Sequence, residues 1–353
     1  MSEAEKHLEA AAAGRRLKRA QALALYLEAP LHDLARAAHQ ARLAHHPEPV
    51  VTYVVDRNVN YSNVCVCGCR FCAFFRAPGS PEGYLLGREE LARKIEETLS
   101  LGGTQILLQG SHHPDLDLRY YEELLAFIKS SYPTLHLHAF SPPEIVHFSR
   151  VSGIPAASVL ERLIDAGLDS IPGGGAEILS DRVRREISPH KCTAGQWLEV
   201  MRTAHELGLP TTATMMFGHV ETLEERIDHL LTLRELQDRT GGFTAFIPWP
   251  FQPDHTRIEV RKTSSIEYLR LLAAARLVLD NIPNLQASWV TMGPQIGQLA
   301  LFFGANDFGS TMIEENVVAA SGVCFRLGRE EIEKNIREAG FVPKQRLMDY
   351  RPA

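Results

Sequence analysis

Cys65, Cys69 and Cys72 stand in a C-x3-C-x2-C spacing, with Phe71 before the last of them and Phe74-Phe75 just after. Three thiolates on one short loop can hold three irons of a [4Fe–4S] cluster and leave the fourth iron open. An open iron can bind a substrate, and it suits the amino and carboxylate groups of S-adenosylmethionine. One electron delivered to the adjoining sulfonium splits a carbon–sulfur bond and yields a 5′-deoxyadenosyl radical, chemistry that the protein only has to aim. Two other readings compete. Zinc normally takes four N/S ligands in two separated pairs, and a disulfide suits an oxidising compartment. The spacing favours the cluster. Cys67 adds a thiol inside the loop, two residues from either neighbour, and is read as a bystander.

Other residues with chemical potential fall at predicted strand ends. Phe71 can pack on the adenine or serve as core filler. Gln109, followed by Gly110 and Ser111, offers small groups and carbonyls to the methionyl ammonium; the alternative is an ordinary turn. Ser141, in Phe140-Ser141-Pro142-Pro143-Glu144, is a cofactor contact or a helix N-cap. Gly173-Gly174-Gly175 lets backbone approach a nucleoside, but it is neither a P-loop nor a dinucleotide fingerprint. Glu177 beyond it can bond ribose hydroxyls or sit favourably in the first turn of a helix. His219 and Glu221 are acid–base or substrate contacts, or members of a surface loop. His112-His113 resembles a metal pair that the cluster does not need. Arg182, Arg184 and Arg185 read as a solvated helix face, and Met215-Met216 as core.

These residues need a scaffold that gathers strand ends. Val51–Val55 and Asn58–Val64 read as two strands, the second leading into the cysteine loop. Strand-like segments then alternate with amphipathic helices: Arg88–Ser100 before Thr104–Gln109, a helix near Tyr120–Ser131 before Leu135–Phe140, and Ala156–Ala166 before Leu168–Ile171. The pattern continues with Ala194–Leu207 before Thr211–Phe217, Leu223–Arg239 before Phe243–Pro248, and Ser264–Asn281 before Gln286–Val290. Such alternation demands parallel pairing through helical crossovers. It predicts an α/β chain built as a TIM-like (β/α) barrel with roughly six to eight strands, Gly304–Thr311 being the doubtful last one. Residues 1–49 read as an N-terminal helical appendage, 50–312 as the barrel and 313–353 as a helical segment closing over it.

Composition is that of a globular enzyme. The 353 residues are 45% hydrophobic and 23% charged, with a formal net charge of −6, which gives no footprint for nucleic acid. Met1–Lys6 is charged where a signal peptide would be apolar, and no apolar run is long enough for a membrane span. Four of the six cysteines cluster at 65–72, leaving Cys192 and Cys324 apart. That distribution points to metal binding in a reducing cytoplasm.

With these residues in view, the chain resembles the radical S-adenosylmethionine enzymes of the futalosine route to menaquinone. The segments that carry the resemblance are Asn58–Phe75, Pro81–Tyr84, Gly102–Gly110, His136–Val146, Gly167–Ile178, Trp197–Gly208, Thr214–Thr222 and Gly241–Pro253. Sister enzymes that make aminofutalosine or a deazaflavin share the cysteine loop; Thr212–Phe217 and Phe246–Pro253 are more similar to the cyclising member. Ser111 departs from the family pattern, which has a second glycine there. The resemblance implies a [4Fe–4S] cluster on Cys65, Cys69 and Cys72, with S-adenosylmethionine held near Phe71, Gln109, Ser141 and Glu177. It implies removal of the C4′ hydrogen of dehypoxanthine futalosine, attack of the resulting carbon radical on the benzoate ring, and loss of a proton and an electron to give cyclic dehypoxanthinyl futalosine. His219 and Glu144 are the candidate bases for that proton. A low-potential donor such as flavodoxin or ferredoxin is implied, with no nucleic-acid or membrane partner. The rival readings are adduct formation by a sister enzyme, a non-catalytic iron–sulfur protein and a zinc-dependent hydrolase.

Overall fold

The computed structural model describes residues 3–323 and 325–353; Met1, Ser2 and the isolated Cys324 lie outside the described residues. Three helices come first: α1 (Glu3–Ala12), α2 (Arg19–Glu28) and α3 (Leu31–His45). Gly14, with a left-handed φ of 78° that ends a helical run, and Pro30, which lacks an N–H, separate them. Leu34 and Ala38 of α3 are fully buried, and the face they form packs on a barrel helix near the C-terminal half.

The barrel begins with β1 (Val50–Val54) and β2 (Asp56–Asn60), one nearly continuous strand interrupted at Val55. It continues through α4 (Arg88–Ser100), β3 (Gln105–Gln109), α5 (Leu118–Ser131) and β4 (His136–Ala139). Next come α6 (Pro142–Ser152), α7 (Ala156–Asp165), α8 (Asp181–Ile187), α9 (Ala194–Glu206), β5 (Thr211–Phe217) and α10 (Leu223–Thr240). Then follow β6 (Phe243–Pro250), α11 (Ser265–Val278), β7 (Asn284–Leu285), α12 (Trp289–Met292), α13 (Pro294–Ala300) and β8 (Asp307–Ser310). The chain ends with α14 (Arg329–Glu338) and β9 (Val342–Gln345).

Parallel pairing closes these strands into a ring. β2 pairs β3 from Asp56↔Gln105 to Asn60↔Gln109, and β3 pairs β4. Single bridges His138↔Ser170 and Ile171↔Thr211 carry the ring across residues 170–171 to β5. β5–β6–β7 follow, Gln286↔Asp307 reaches β8, and β8 returns to β1. The expected barrel is therefore complete, and the doubtful last strand is real.

Three local expectations differ. Residues 61–64 do not extend β2, because Ser62 and Asn63 bond loop backbone instead: Ser62 Oγ donates to Tyr84 O (2.7 Å), and Asn63 binds Glu82 O (3.0 Å) and Tyr84 N (2.9 Å). The strand expected at Gln286–Val290 is displaced to Asn284–Leu285, and Trp289 starts a short helix with Nε1 donating to Ser310 O (3.2 Å). Its apolar run reads as a strand because both settings bury it. The C-terminal segment is not wholly helical: β9 pairs β1 from Val50↔Val342 to Tyr53↔Gln345, at the strands' starting end. It closes the barrel from below, opposite the cysteine loop.

Candidate active site

The cysteine loop leaves β2 at the carboxyl ends of the strands, and its own backbone groups fix its shape. Cys65 N–H donates to Arg76 O (2.9 Å), Arg76 N–H to Asn63 O (2.8 Å) and Val66 N–H to His112 O (3.1 Å). The Arg76 guanidinium gathers the carbonyls of Ala73, Phe74 and Phe75 at 3.0–3.2 Å. Arg257, from the loop after β6, donates to Gly68 O and to Cys69 O (3.2 Å), while Arg70 N–H is tied to Ile187 O (2.8 Å). A loop held at so many backbone points needs little reorganisation to present its thiols.

All four thiols line a cavity of about 210 Å³ together with Phe71, Gln109, Ser111, Ser141, Glu144, Glu177 and Lys191. Cys67 is buried, with Sγ 3.0 Å from His112 Nδ1. Sharing its proton with Cys65 and Cys69 raises the Cys67 thiol, and the same contact lowers Cys65 to about 6 against the effect of burial. Burial pushes Cys72 up to about 11. The second histidine candidate, His113, does not line the cavity.

Glu177 is buried with a left-handed φ of 44° and precedes α8 by four residues, so the helix-terminus reading does not describe it. Its Oε1 accepts from Lys191 Nζ at 2.8 Å. Burial alone would raise Glu177, but Lys191 and, more distantly, Arg184 hold it below the usual carboxylate range. Lys191 also lies 5.0 Å over the Phe71 ring. Sequence reasoning missed this cation; its only signal was its place in the same strand-to-helix connection as the triple glycine. Arg184 corrects the solvated-face reading, because it is buried and donates to Gly175 O (3.0 Å), Ala176 O (2.8 Å) and Cys192 O (2.7 Å). It pins the glycine turn from behind. A Cβ at Gly174 would stand 2.6 Å from Gln109 Nε2, so a side chain there would push the Gln109 amide aside.

The two candidate bases fare differently from their sequence reading. Glu144 lines the cavity, but its oxygens already accept from Tyr61 Oη (2.8 Å), Gly110 N (3.1 Å), Ser141 N (2.8 Å) and Ser141 Oγ (2.7 Å). It ties three strand ends together, and Ser141 is both its capping partner and part of the cavity wall. His219 lines neither this cavity nor the barrel lumen. It folds back on its own turn, with Nε2 3.0 Å from Met216 O and Nδ1 accepting from Val220 N (2.8 Å). The structure gives it no path to a substrate.

A second cavity of about 260 Å³ fills the lumen and shares Gln109, Gly174, Trp249 and Val317 with the walls of the first. Its walls carry one to three residues from most strands, among them Asn58, Gln105, His138, Thr212, Thr214 and Ile247. Met348 and Tyr350 of the C-terminal tail close it below. Arg346 from the same tail is buried against Asp307, with Nε 2.5 Å from Oδ2. Asn58 Oδ1 and Gln105 Oε1 are buried without a hydrogen-bond partner.

Residues 59–233 match the family described as the radical SAM superfamily, and residues 240–353 match the CofH/MqnC C-terminal region. The chain is 48% identical over 344 residues to cyclic dehypoxanthine futalosine synthase of Halalkalibacterium halodurans, covering 97% of this chain and 93% of that one. It is 46% identical to the synthase of the same name from Streptomyces coelicolor, covering 97% and 87%. The chain is a radical SAM enzyme of the CofH/MqnC family. Another relative of this radical SAM enzyme is aminodeoxyfutalosine synthase of Thermus thermophilus, 42% identical with 99% and 94% covered. In fold it resembles the FeFe-hydrogenase maturase HydG of Carboxydothermus hydrogenoformans, with a TM-score of 0.76 at 17% identity, covering 99% and 81%.

A radical SAM enzyme works with a [4Fe–4S] cluster and S-adenosylmethionine, and the cysteine-lined cavity fits both. Cys65, Cys69 and Cys72 line one cavity, and three thiols around one cavity suit a cluster with several irons. Ser111 Oγ is buried there without a partner, free to meet a donor such as the methionyl ammonium. No helix among the described residues is long and apolar enough to cross a membrane.

Proposed function

We propose that this enzyme converts dehypoxanthine futalosine to cyclic dehypoxanthinyl futalosine in menaquinone formation, with Cys65, Cys69 and Cys72 holding the cluster. The observation that carries the reading is the wall the two cavities share at Gln109, Gly174, Trp249 and Val317. A cofactor in one and a substrate in the other lie on either side of the same four residues. When bound, the cofactors supply a carbon radical able to take a hydrogen atom from an unactivated C–H bond.

The protein's own part is to bind, orient and keep dry. Phe71, Gln109, Ser141 and Glu177 hold S-adenosylmethionine, with Ser111 Oγ accepting from its ammonium. Lys191 keeps Glu177 ionised, so the carboxylate is ready to accept from ribose hydroxyls. In the lumen, Asn58 Oδ1 and Gln105 Oε1 lack donors, and the hydroxyls of a nucleoside-derived substrate satisfy them. An unpaired buried acceptor costs about 1–3 kcal/mol, so these two atoms select for hydroxyl-bearing ligands. Met348 and Tyr350 keep water from entering below, which protects a radical from side reactions. Electrons come from a low-potential ferredoxin or flavodoxin, and the reaction runs in the cytoplasm.

The test is anaerobic incubation of the reconstituted enzyme with dehypoxanthine futalosine, reductant and S-adenosylmethionine, followed by mass analysis. The expected product is two hydrogens lighter than the substrate, because ring closure is a net oxidation. Recovery of an adenosyl adduct with an enol-ether acceptor, and no cyclised product, overturns the reading.

A further inference from the structure

Two histidines on β4 share one buried partner. Alternate residues of a strand face the same side, and His136 and His138 both reach one hydroxyl. Ser170 is fully buried, with Oγ 2.7 Å from His138 Nδ1 and 2.7 Å from His136 Nε2. Backbone pairing fixes the trio: His138 bridges Ser170, Ala139 N–H donates to Ser170 O (3.0 Å), and Ser170 N–H donates to Leu137 O (3.2 Å). A hydroxyl carries one proton, so between two imidazole nitrogens it donates to one and accepts from the other. The three groups are therefore a directed hydrogen-bonded wire. One end opens on the lumen, because His138 lines that cavity and its Nε2 has no hydrogen-bond partner among the described residues. The other end is half-buried His136.

We propose that His138, Ser170 and His136 form a proton relay that removes the proton released when the substrate's aromatic ring is restored. This rests on the cyclisation reading. The ring C–H bond breaks, its proton passes to His138 Nε2, and its electron pair stays in the ring. The ring's surplus single electron leaves to a one-electron iron–sulfur acceptor. His138 Nδ1–H moves to Ser170 Oγ, and the Ser170 hydroxyl proton moves to His136 Nε2. The proton has then crossed from the lumen to the outer end of the strand with no heavy atom displaced.

The surroundings suit an acceptor that starts neutral. Burial, then His136 and Arg346, press His138 well below the usual imidazole range. Burial also lowers His136, opposed by Asp169 and Asp349 and assisted by Lys129. These are the charged groups facing the pair: Arg346 and Asp349 from the C-terminal tail, Lys129 from α5, and Asp169 beside Ser170. Lys129 Nζ is 2.5 Å from Asp169 Oδ2, so this end of the wire already holds a charged network that can receive a proton. His219 and Glu144, the bases suggested by sequence, have respectively no access and no free lone pair.

His138→Gln keeps a side chain able to bond Ser170 but removes the base. Its cyclised-product rate should fall about 10²- to 10⁴-fold, the usual contribution of a positioned base. Substrate Kd by calorimetry should change less than about threefold, and deuterium from the substrate ribose should still reach 5′-deoxyadenosine. Ser170→Ala should lower the product rate less than His138→Gln does, and Ser170→Thr should restore it. A product rate within about threefold of wild type for His138→Gln, or a parallel loss of binding and rate, overturns the relay. A second readout needs no turnover: ¹⁵N-histidine spectra of the oxidised holoenzyme. They should show His138 neutral and in one tautomer from about pH 6 to 9, becoming a tautomer mixture in Ser170→Ala. A protonated His138 at neutral pH, or a tautomer indifferent to Ser170→Ala, overturns the wire itself. Failure of the wild-type enzyme to cyclise overturns the functional reading and the cargo assigned to the relay, while the spectra still decide whether the wire exists.

Discussion

The two neighbouring cavities are built on opposite plans. The cysteine-lined one takes four thiols and three aromatic rings, Phe71, Phe74 and Phe75, from a single loop, and a Lys191–Glu177 pair from the two connections that flank α8. The lumen takes one to three side chains from most strands, and its charged groups Asp56, Glu315 and Arg346 are already bonded within the protein. The first site is charged, local and held by backbone hydrogen bonds; the second is largely amide, hydroxyl and apolar, and is assembled by barrel closure. A site for a common cofactor can be written in one stretch of sequence. A site for a particular substrate is written a residue or two per strand.

Separate damage to the two cavities tests that contrast. Alanine at Cys65, Cys69 or Cys72 should abolish turnover and cluster iron while substrate Kd stays near wild type; Cys67→Ala should keep its iron. Iron content and calorimetry check both. In the lumen, Asn58→Leu should leave the iron and the S-adenosylmethionine affinity unchanged but weaken substrate binding roughly tenfold, the value of about one buried hydrogen bond. If Asn58→Leu loses iron, or Cys69→Ala loses substrate affinity, the two cavities do not have separate duties.

Within the cofactor cavity, Lys191→Met strands the Glu177 carboxylate. Breaking a buried pair in this way costs about 3–5 kcal/mol, to be read from urea unfolding. Replacing both partners by neutral residues should recover most of that loss. The same pair sets a pH dependence. Glu177 is lowered in the folded protein, so its contribution is present above the ordinary carboxylate pKa of about 4.3. It is lost as pH falls through the lower folded value. Glu177→Gln should flatten the acid limb of stability below about pH 4 and lower stability near neutrality, where the ionised pair contributes in full. An acid limb identical to wild type would remove Glu177 from the account of that cavity.

Much of the fold and of the cofactor cavity is legible in the amino-acid sequence alone. The cysteine spacing, the alternation of strand and helix, and the strand-end positions of Gln109, Ser141 and Glu177 all follow from local pattern. Arg88–Ser100 is a helix of the expected length because Leu91 and Ile95 repeat at helical spacing and are buried. Lys191 was not legible, since a lone lysine after Pro189-His190 carries no pattern, and its partner lies fourteen residues away. Arg184 looked solvated because its neighbours Arg182 and Arg185 are exposed, and only the fold turns it inward. His138 lies inside the strand expected over Leu135–Phe140, and nothing in that local pattern singles it out. Its meaning depends on Ser170, from a strand position held by isolated bridges alone. His219 misled because its motif sits at a strand end while its ring folds back onto Met216 O.

The central claim is that substrate in the lumen presents its ribose to chemistry arising in the cysteine-lined cavity. Dehypoxanthine futalosine deuterated at C4′ tests it most directly, with the label followed into 5′-deoxyadenosine by mass spectrometry during turnover. The account predicts deuterated 5′-deoxyadenosine together with cyclised product. Unlabelled 5′-deoxyadenosine beside that product, or an adenosyl adduct in its place, would contradict it.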